Sequence, residues 1–220
     1  MAEFFERAHE YGVSPDLDCH DSVIRHLLKG DKIESATAVL GHMRKHGPTP
    51  STKTFSLIVD WYCGKDNIEK AVEVLEEMTK AGTPPNVVTL SPLVFAYARQ
   101  GDLTNATAWV KKMREKYNVE PNIVTYNALL VAYEKRGDYP SVWELFMELT
   151  QTHKIAPNRA TFKIVLELCL KLKQRERGMH YIGLMEAKEE ETPYLKELAR
   201  KIEDLTEDYQ YPAGIGQITL

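Results

Sequence analysis

A proline recurs every 35 or 36 residues along this chain of 220 residues, and this spacing constrains the fold more than any other feature of the sequence. The prolines on this lattice are Pro15, Pro50, Pro85, Pro121, Pro157 and Pro193. Two of them precede similar segments, since NVVTLSPLV begins at Asn86 and NIVTYNALL begins at Asn122. A period of about 20–50 residues is typical of arrays in which each unit stacks on its neighbours.

Two other positions of the repeat hold residues of nearly constant size. When the residue after Asn86 is counted as position 1, position 20 is small and position 27 is Met or Leu. Position 20 is occupied by Ala36, Ala71, Ala106, Val142 and Gly178, and position 27 by Met43, Met78, Met113, Leu149 and Met185. Small side chains allow two helices to approach closely, so each unit is predicted to be a tight helical hairpin.

The unit that begins at Val87 illustrates the predicted hairpin. We expect Thr89 to cap a first helix that ends near Arg99. The segment RQGD then breaks the helix, with Gly101 in the left-handed conformation. A second amphipathic helix follows from about residue 103 to residue 116.

The lattice divides the chain into predicted segments. The five repeats are 17–51, 52–86, 87–122, 123–158 and 159–194, and residues 1–16 form a partial repeat with the second helix only. Residues 195–209 are predicted to be a capping helix and residues 210–220 an extended tail. The predicted fold is therefore an all-α, right-handed superhelical solenoid of helix-turn-helix repeats, each of 35–36 residues.

Composition excludes several functional classes. The residues are 43% hydrophobic and 27% charged, which is typical of a folded protein, and no apolar run is long enough for membrane insertion. Three widely spaced cysteines form no metal-ligand or disulfide pattern. No phosphate-binding loop, nucleophile elbow or catalytic set is visible, so we expect no catalytic residues, no metal, no cofactor and no enzymatic activity.

The recurring pattern VVTxxxL…Y…GD…A…M…PN resembles the pentatricopeptide repeat family. The segment NIVTYNALLVAYEKRGDY at 122–139 is similar to the family's first helix, and IEKAVEVLEEMTKAGTPPN at 68–86 is similar to its second helix and linker. The resemblance covers about residues 2–194. A tetratricopeptide array fits less well, because it requires a period of about 34 residues and Gly or Ala at position 8, where this chain has Val59, Val94 and Leu130.

The resemblance implies that single-stranded RNA lies along the first helices, with about one base per repeat. In the family, position 5 and the last residue of a unit contact the base edge, and an aliphatic residue at position 2 packs between bases. The implied base-contacting pairs are Ser56 with Asn86, Ser91 with Asn122, and Asn127 with Asn158, and the implied base-sandwiching residues are Val88 and Val124. By the same resemblance, Ser–Asn pairs prefer adenine and Asn–Asn pairs a pyrimidine.

Other positions leave alternatives open. The three asparagines could equally be turn or cap residues that follow a proline. A series of basic residues at position 13, near the C-terminal ends of first helices, could contact phosphates or could only complement the helix dipoles; its members are Lys29, Arg99, Lys135 and Lys171. Lys53 stands at position 2, where its ammonium could also meet a phosphate. The implied phosphate contacts are Lys53, Arg99 and Lys135.

The two outer repeats depart from the family pattern. Repeat 17–51 has the pair Asp21 and Ser51, and repeat 159–194 has the pair Lys163 and Tyr194. Neither pair is a recognised base-reading combination. Two or three readable bases give modest specificity, which favours a protein that acts together with partners.

Two functional hypotheses follow. The first is an organellar single-stranded RNA-binding protein that acts by occupancy in RNA processing, stability, splicing or translation. The second is a structural subunit of a mitochondrial ribosome or another organellar complex. The net charge of −4 and the absence of recognised base-reading pairs in the outer repeats favour this second hypothesis. The expected location is the mitochondrion, or alternatively the chloroplast, although the first residues, MAEFFERAHE, read as a helix and show no presequence.

Overall fold

The computed structural model describes Tyr11, residues 15–188 and residues 192–205, and these residues form α-helices joined by short turns. No strand occurs among them. The all-α prediction is therefore confirmed. Most of the predicted partial repeat at 1–16, the end of the predicted capping helix and the tail at 210–220 lie outside the described residues.

The chain divides into two compact units, an N-terminal unit of residues 1–121 and a C-terminal unit of residues 122–220. The described helices of the N-terminal unit are α1 (Leu17–Lys29), α2 (Ile33–His46), α3 (Thr52–Gly64), α4 (Ile68–Lys80), α5 (Val87–Arg99) and α6 (Leu103–Glu115). Those of the C-terminal unit are α7 (Ile123–Arg136), α8 (Tyr139–Met147) with a π-helical turn (Glu148–Thr152), α9 (Arg159–Lys171), α10 (Arg175–Ala187) and α11 (Pro193–Glu203).

In the N-terminal unit, three helical hairpins stack through their first helices. Helices α1, α3 and α5 each pack on the second helix of their own hairpin, and α3 also packs on both α1 and α5. The small residues Ala36, Ala71 and Ala106 are fully buried, as the close hairpin contact requires. The methionines at position 27 are also buried, so positions 20 and 27 of the repeat both belong to the core.

In the C-terminal unit, α7 packs on α8 and α9, while α9 packs on α10 and α11. Gly178 is the small residue of α10, and a Cβ atom at this position would lie 2.5 Å from Cγ2 of Ile202. Helix α11 therefore approaches α10 more closely than any side chain at position 178 would permit. This contact covers the last hairpin of the unit.

The start of each first helix differs from the expectation in one respect. Thr89 does not cap α5, because Asn86 is the N-cap and its Oδ1 accepts hydrogen bonds from the backbone N–H groups of Val88 and Thr89. Asn122 caps α7 in the same way. Asn86 rather than Thr89 is the N-cap because the backbone of Asn86 is extended and its side-chain oxygen reaches the first free N–H groups of the helix. The left-handed conformation predicted for Gly101 is confirmed, with φ 77°.

Candidate nucleic-acid interface

Ser56, Thr89 and Asn86 form a chain of hydrogen bonds in the N-terminal unit. Oγ of Ser56 lies 2.6 Å from Oγ1 of Thr89, which lies 3.2 Å from Oδ1 of Asn86. The hydroxyl of Ser56 also donates to the carbonyl oxygen of Thr52 at 2.8 Å. Because Oδ1 of Asn86 already accepts the hydrogen bonds of the N-cap, its Nδ2 is the group left to donate to a ligand.

Asn127, Asn158 and Thr161 form the corresponding cluster in the C-terminal unit. Nδ2 of Asn127 donates to Oδ1 of Asn158 at 3.1 Å, and the hydroxyl of Thr161 lies 2.8 Å from Oδ1 of Asn127. Oδ1 of Asn158 also caps α9 by accepting from the backbone N–H of Thr161. Two side chains that the family resemblance pairs are thus in direct contact.

The same cluster exists in repeat 17–51, but with an acid in it. The hydroxyl of Thr54 donates to Oδ1 of Asp21 at 2.6 Å, and Oγ of Ser51 lies 3.1 Å from Oγ1 of Thr54. Asp21 is buried. A carboxylate only accepts hydrogen bonds, so this repeat presents different chemistry on the same scaffold.

The third predicted pair, Ser91 with Asn122, is divided between the two units. Ser91 lies in α5 and is buried, with 8% of its surface exposed. Asn122 is exposed and caps α7, where its Oδ1 accepts from Val124, Thr125 and the hydroxyl of Thr125. That these two residues read one base together stays a prediction.

Val88 and Val124 are exposed, at 63% and 53% of their surface. Both lie in the first turn of a first helix, two residues after the capping asparagine. Large aliphatic side chains on a polar surface favour contact with a ligand over contact with water, and a nucleobase offers a flat apolar face. Their placement is compatible with the base-sandwiching role that the sequence predicts.

Two of the predicted phosphate-contacting cations are already ion-paired. Nζ of Lys53 lies 3.3 Å from carboxylate oxygens of both Asp18 and Asp21. Hydrogen bonds to Asp21 and then to Asp18 raise the pKa of Lys53 above its ordinary value of 10.5. Nη2 of Arg99 lies 2.6 Å from Oδ1 of Asp66.

Lys135 differs from these two cations. It is exposed at the end of α7 and forms no ion pair with any described residue. The next basic residue in the series, Lys171, lies 3.1 Å from Oε1 of Glu134. Among the three residues predicted to contact phosphate, Lys53 and Arg99 are therefore paired with acids, and Lys135 is the exception.

Three family models match the chain within its repeats. A pentatricopeptide repeat domain matches residues 73–136, a PPR repeat family model matches 121–171, and a PPR repeat matches 53–83. The chain belongs to the pentatricopeptide repeat family. A comparison with curated protein sequences gave no match.

Solved structures of pentatricopeptide repeat proteins share this fold. The chain is similar to the pentatricopeptide repeat protein PPR10 from maize, at 22% identity and a TM-score of 0.66 over 91% of this chain. PPR10 in complex with an 18-nucleotide psaJ RNA element gives 22% identity and a TM-score of 0.64. In both cases the match covers 27% of the PPR10 chain, so this chain spans about a quarter of that protein.

A third similar structure is the PPR domain of Arabidopsis thaliana protein-only RNase P 1 in complex with tRNA. Its identity to this chain is 12% and its TM-score is 0.65, over 85% of this chain and 98% of that one. At these identities the likeness shows the fold of the pentatricopeptide repeats.

A threonine at position 3 belongs to the site in addition to the residues that the sequence predicts, and it occurs in four of the five pentatricopeptide repeats, while repeat 17–51 has Cys19 there. Thr54, Thr89 and Thr161 have no exposed surface, and each bridges position 5 of one repeat to the last residue of that repeat. The signal was present, because threonine recurs at position 3 in KT, VVT, IVT and AT. Helix capping is the role that the sequence predicts for Thr89, and it predicts none for the others.

The last pentatricopeptide repeat carries an aromatic side chain in place of asparagine. Tyr194 is exposed, donates a hydrogen bond to Glu167, and has Nζ of Lys163 at 5.3 Å from its ring centre. The two members of this predicted pair are thus in contact. Their contact is a cation–π interaction, which leaves no amide or hydroxyl pair for a base edge.

Other chemistry is limited in the part of the chain that the structure describes. No group of three potential metal ligands comes together there. Burial raises the pKa of the Cys63 and Cys169 thiols to about 12, so both are protonated at neutral pH. No described helix has the length and hydrophobicity needed to cross a lipid bilayer.

Proposed function

We propose that this pentatricopeptide repeat chain binds single-stranded RNA along its first helices and acts by occupancy, in a mitochondrion or, alternatively, a chloroplast. The observation that carries the proposal is the pair of hydrogen-bonded clusters that contain Ser56 with Asn86 and Asn127 with Asn158. In each cluster the two implied base-contacting residues are held together at the start of a helix. The structural match to PPR10 in complex with an RNA element supports RNA as the ligand.

The Ser56 cluster offers chemistry that suits adenine. The hydroxyl proton of Ser56 is directed to the carbonyl of Thr52, so its oxygen accepts, while Nδ2 of Asn86 donates. Adenine presents an amino donor beside a ring-nitrogen acceptor on its Watson–Crick edge. An acceptor and a donor held side by side complement that edge.

The Asn127 cluster offers more donors. Nδ2 of Asn158 retains both protons, and Nδ2 of Asn127 retains the one that does not go to Asn158. Pyrimidines carry the acceptor O2 next to N3, so a donor-rich site fits them. Repeats 52–86 and 123–158 would therefore read adenine and a pyrimidine. By the family resemblance, repeat 87–122 would also read adenine, and the order adenine, adenine and pyrimidine would run in the 5′ to 3′ direction.

Affinity is expected to be modest. Each read base contributes roughly 1–3 kcal/mol of discrimination, and three bases do not define a unique site in a transcriptome. Occupancy of a short single-stranded segment needs no catalytic group, and we propose that the chain acts without catalysis. Its effect would be to shield RNA from nucleases or from misfolding.

A second candidate is a subunit of an organellar ribonucleoprotein, such as a mitochondrial ribosome, that uses the repeats as a scaffold for protein and RNA. The ion pairs of Lys53 and Arg99 favour it, because cations already neutralised by acids contribute little to sequence-independent RNA affinity. Protein partners would then provide the remaining affinity. Purification from the organelle with sequencing of crosslinked RNA distinguishes the two candidates.

The direct test measures fluorescence anisotropy of short RNAs at two salt concentrations. We expect wild-type protein to prefer an adenine–adenine–pyrimidine segment over the same segment with one base exchanged. Val124→Asp should weaken binding, because an acid would replace the apolar contact with the base, whereas melting should change little at this exposed site. Leu184→Asp is the matched control, since it places the same charge on an exposed position of α10. Absence of RNA binding by wild type at low salt would exclude direct reading by the isolated chain.

A further inference from the structure

The threonine at position 3 is buried and makes the same two side-chain contacts at three points along the chain. Oγ1 of Thr89 contacts Ser56 and Asn86, and Oγ1 of Thr161 contacts Asn127 and Asn158. In every case the partners are position 5 and the last residue of the preceding repeat. These are the two residues that would contact a base.

Thr161 and Asn158 together determine which way the amide of Asn127 points. Oγ1 of Thr161 accepts from the backbone N–H of Asn158 at 3.2 Å, and its single proton faces two acceptors, Oδ1 of Asn127 at 2.8 Å and Oδ1 of Asn158 at 3.0 Å. Oδ1 of Asn158 already accepts from the backbone N–H of Thr161, so the shorter contact with Asn127 is the one that needs the proton. Nδ2 of Asn127 then faces Oδ1 of Asn158 at 3.1 Å. The reversed amide would place two oxygen acceptors against each other, which is unfavourable.

Thr89 acts similarly on Ser56. The hydroxyls of Ser56 and Thr89 share a contact of 2.6 Å, and their two protons must be divided between Thr52, Asn86 and each other. A proton of Ser56 directed to Thr52 leaves its oxygen as an acceptor toward a ligand. Removal of the Thr89 hydroxyl would release Ser56 from the neighbouring helix.

We propose that these threonines are positioning residues for base recognition, with Thr89 setting the donor and acceptor pattern of Ser56 and Asn86, and Thr161 that of Asn127 and Asn158. This inference rests on the proposed RNA-binding function. It extends the set of specificity-determining residues beyond those that touch the base. Because each threonine lies on the next repeat, the identity of one base also depends on correct stacking of the following helix.

The test is a crossed design with two isosteric substitutions. Thr161→Val should reduce the preference for pyrimidine over purine at the nucleotide read by Asn127 and Asn158 by about tenfold, and should leave the preference for adenine at Ser56 and Asn86 unchanged. Thr89→Val should reduce the preference for adenine at the nucleotide read by Ser56 and Asn86 and leave the preference for pyrimidine at Asn127 and Asn158 unchanged. Thr161→Ser retains the hydroxyl and should therefore keep the wild-type preference for pyrimidine.

Thr54→Val is the matched control, because Thr54 is equally buried and occupies the same position beside the pair Asp21 and Ser51, which is not predicted to read a base. A purely structural role for position 3 would lower melting in all variants while leaving base preferences intact, and that result would overturn the inference. If Thr161→Val does not fold, Thr89→Val carries the test alone, and Thr161→Ser remains the variant that keeps the hydroxyl. Wild-type protein that binds no RNA would instead refute the proposed function, so the two failures are distinguishable.

Discussion

The side-chain amide of Asn127 donates a hydrogen bond to that of Asn158 at 3.1 Å, although 31 residues separate them in the chain. The first residue lies in α7 and the second caps α9. A residue near the start of a repeat is thereby held beside the residue that ends it. A substitution of Asn127 or Asn158 is therefore expected to change the hydrogen-bond donors and acceptors that the other residue presents to a ligand.

Asn127→Ser converts the Asn–Asn pair into the Ser–Asn combination found at Ser56 and Asn86. The preference at this single nucleotide should move from pyrimidine toward purine, by roughly tenfold, because an acceptor replaces an amide donor. Anisotropy with RNAs that differ at this nucleotide measures the change. Asn105→Ser, on the exposed side of α6, is the control and should leave every preference as in wild type. An unchanged preference in Asn127→Ser would remove this residue from the base-reading set.

Asp66→Asn should strengthen RNA binding at low salt. The substitution removes the carboxylate that neutralises Arg99, whose Nη2 and Nε lie 2.6 and 3.2 Å from Oδ1 of Asp66, while the hydrogen bond from Nη2 to the carbonyl oxygen of Cys63 keeps the guanidinium in place. Asparagine tolerates the positive φ of 59° at this position, so the turn is retained. One added phosphate contact should steepen the dependence of log K on log salt by about 0.7.

The control for this variant is Asp60→Asn, which removes the same charge from α3. Asp60 is exposed and forms no ion pair with a described residue. A steeper salt dependence in both variants would indicate a general charge effect, and Arg99 would then lose its assignment as a phosphate contact.

Gly178→Ala and Gly183→Ala should have opposite effects on stability, although both lie in α10. A Cβ at position 178 would lie 2.5 Å from Cγ2 of Ile202, and we expect a loss of about 1–3 kcal/mol. No atom lies within 4 Å of a Cβ at position 183, so alanine there should add about 0.5–1 kcal/mol. Urea unfolding measures both changes. Equal effects of the two substitutions would contradict the close approach of α11.

Stability should fall as the pH rises above about 9. Burial raises the pKa of Cys63 and Cys169 from 9.0 to about 12, so the unfolded thiols ionise at a lower pH than the folded ones. Their contribution is complete below the unfolded pKa and decreases by about 1.4 kcal/mol per pH unit and per thiol above it.

Urea unfolding at pH 8, 9 and 10 under reducing conditions tests this slope. Cys63→Ala and Cys169→Ala should each remove part of the pH dependence, whatever they do to stability at pH 8. Cys19→Ala should leave the slope as it is, because Cys19 is exposed. A flat stability profile between pH 8 and 10 would show that the two thiols are not buried as described.

The repeat itself was determined by the sequence. Prolines at intervals of 35 or 36 residues, small residues such as Ala71 and Ala106, and buried methionines specify hairpins through local capping, turns and helical periodicity. These preferences act over a few residues, so they can be predicted from the sequence. The helix cap was misassigned to Thr89 because both Asn86 and Thr89 are suitable residues within one turn, and local propensity does not rank them.

Only the tertiary structure decided how the predicted site residues are partnered. Ser56, taken from the sequence as a base-contacting residue, has 7% of its surface exposed and is hydrogen-bonded to Thr89, 33 residues away. Lys53 and Arg99 carry the predicted positive charge, but acids from other hairpins neutralise it. Such contacts arise when one helix stacks on the next, and their geometry depends on the packing of side chains that are distant in sequence.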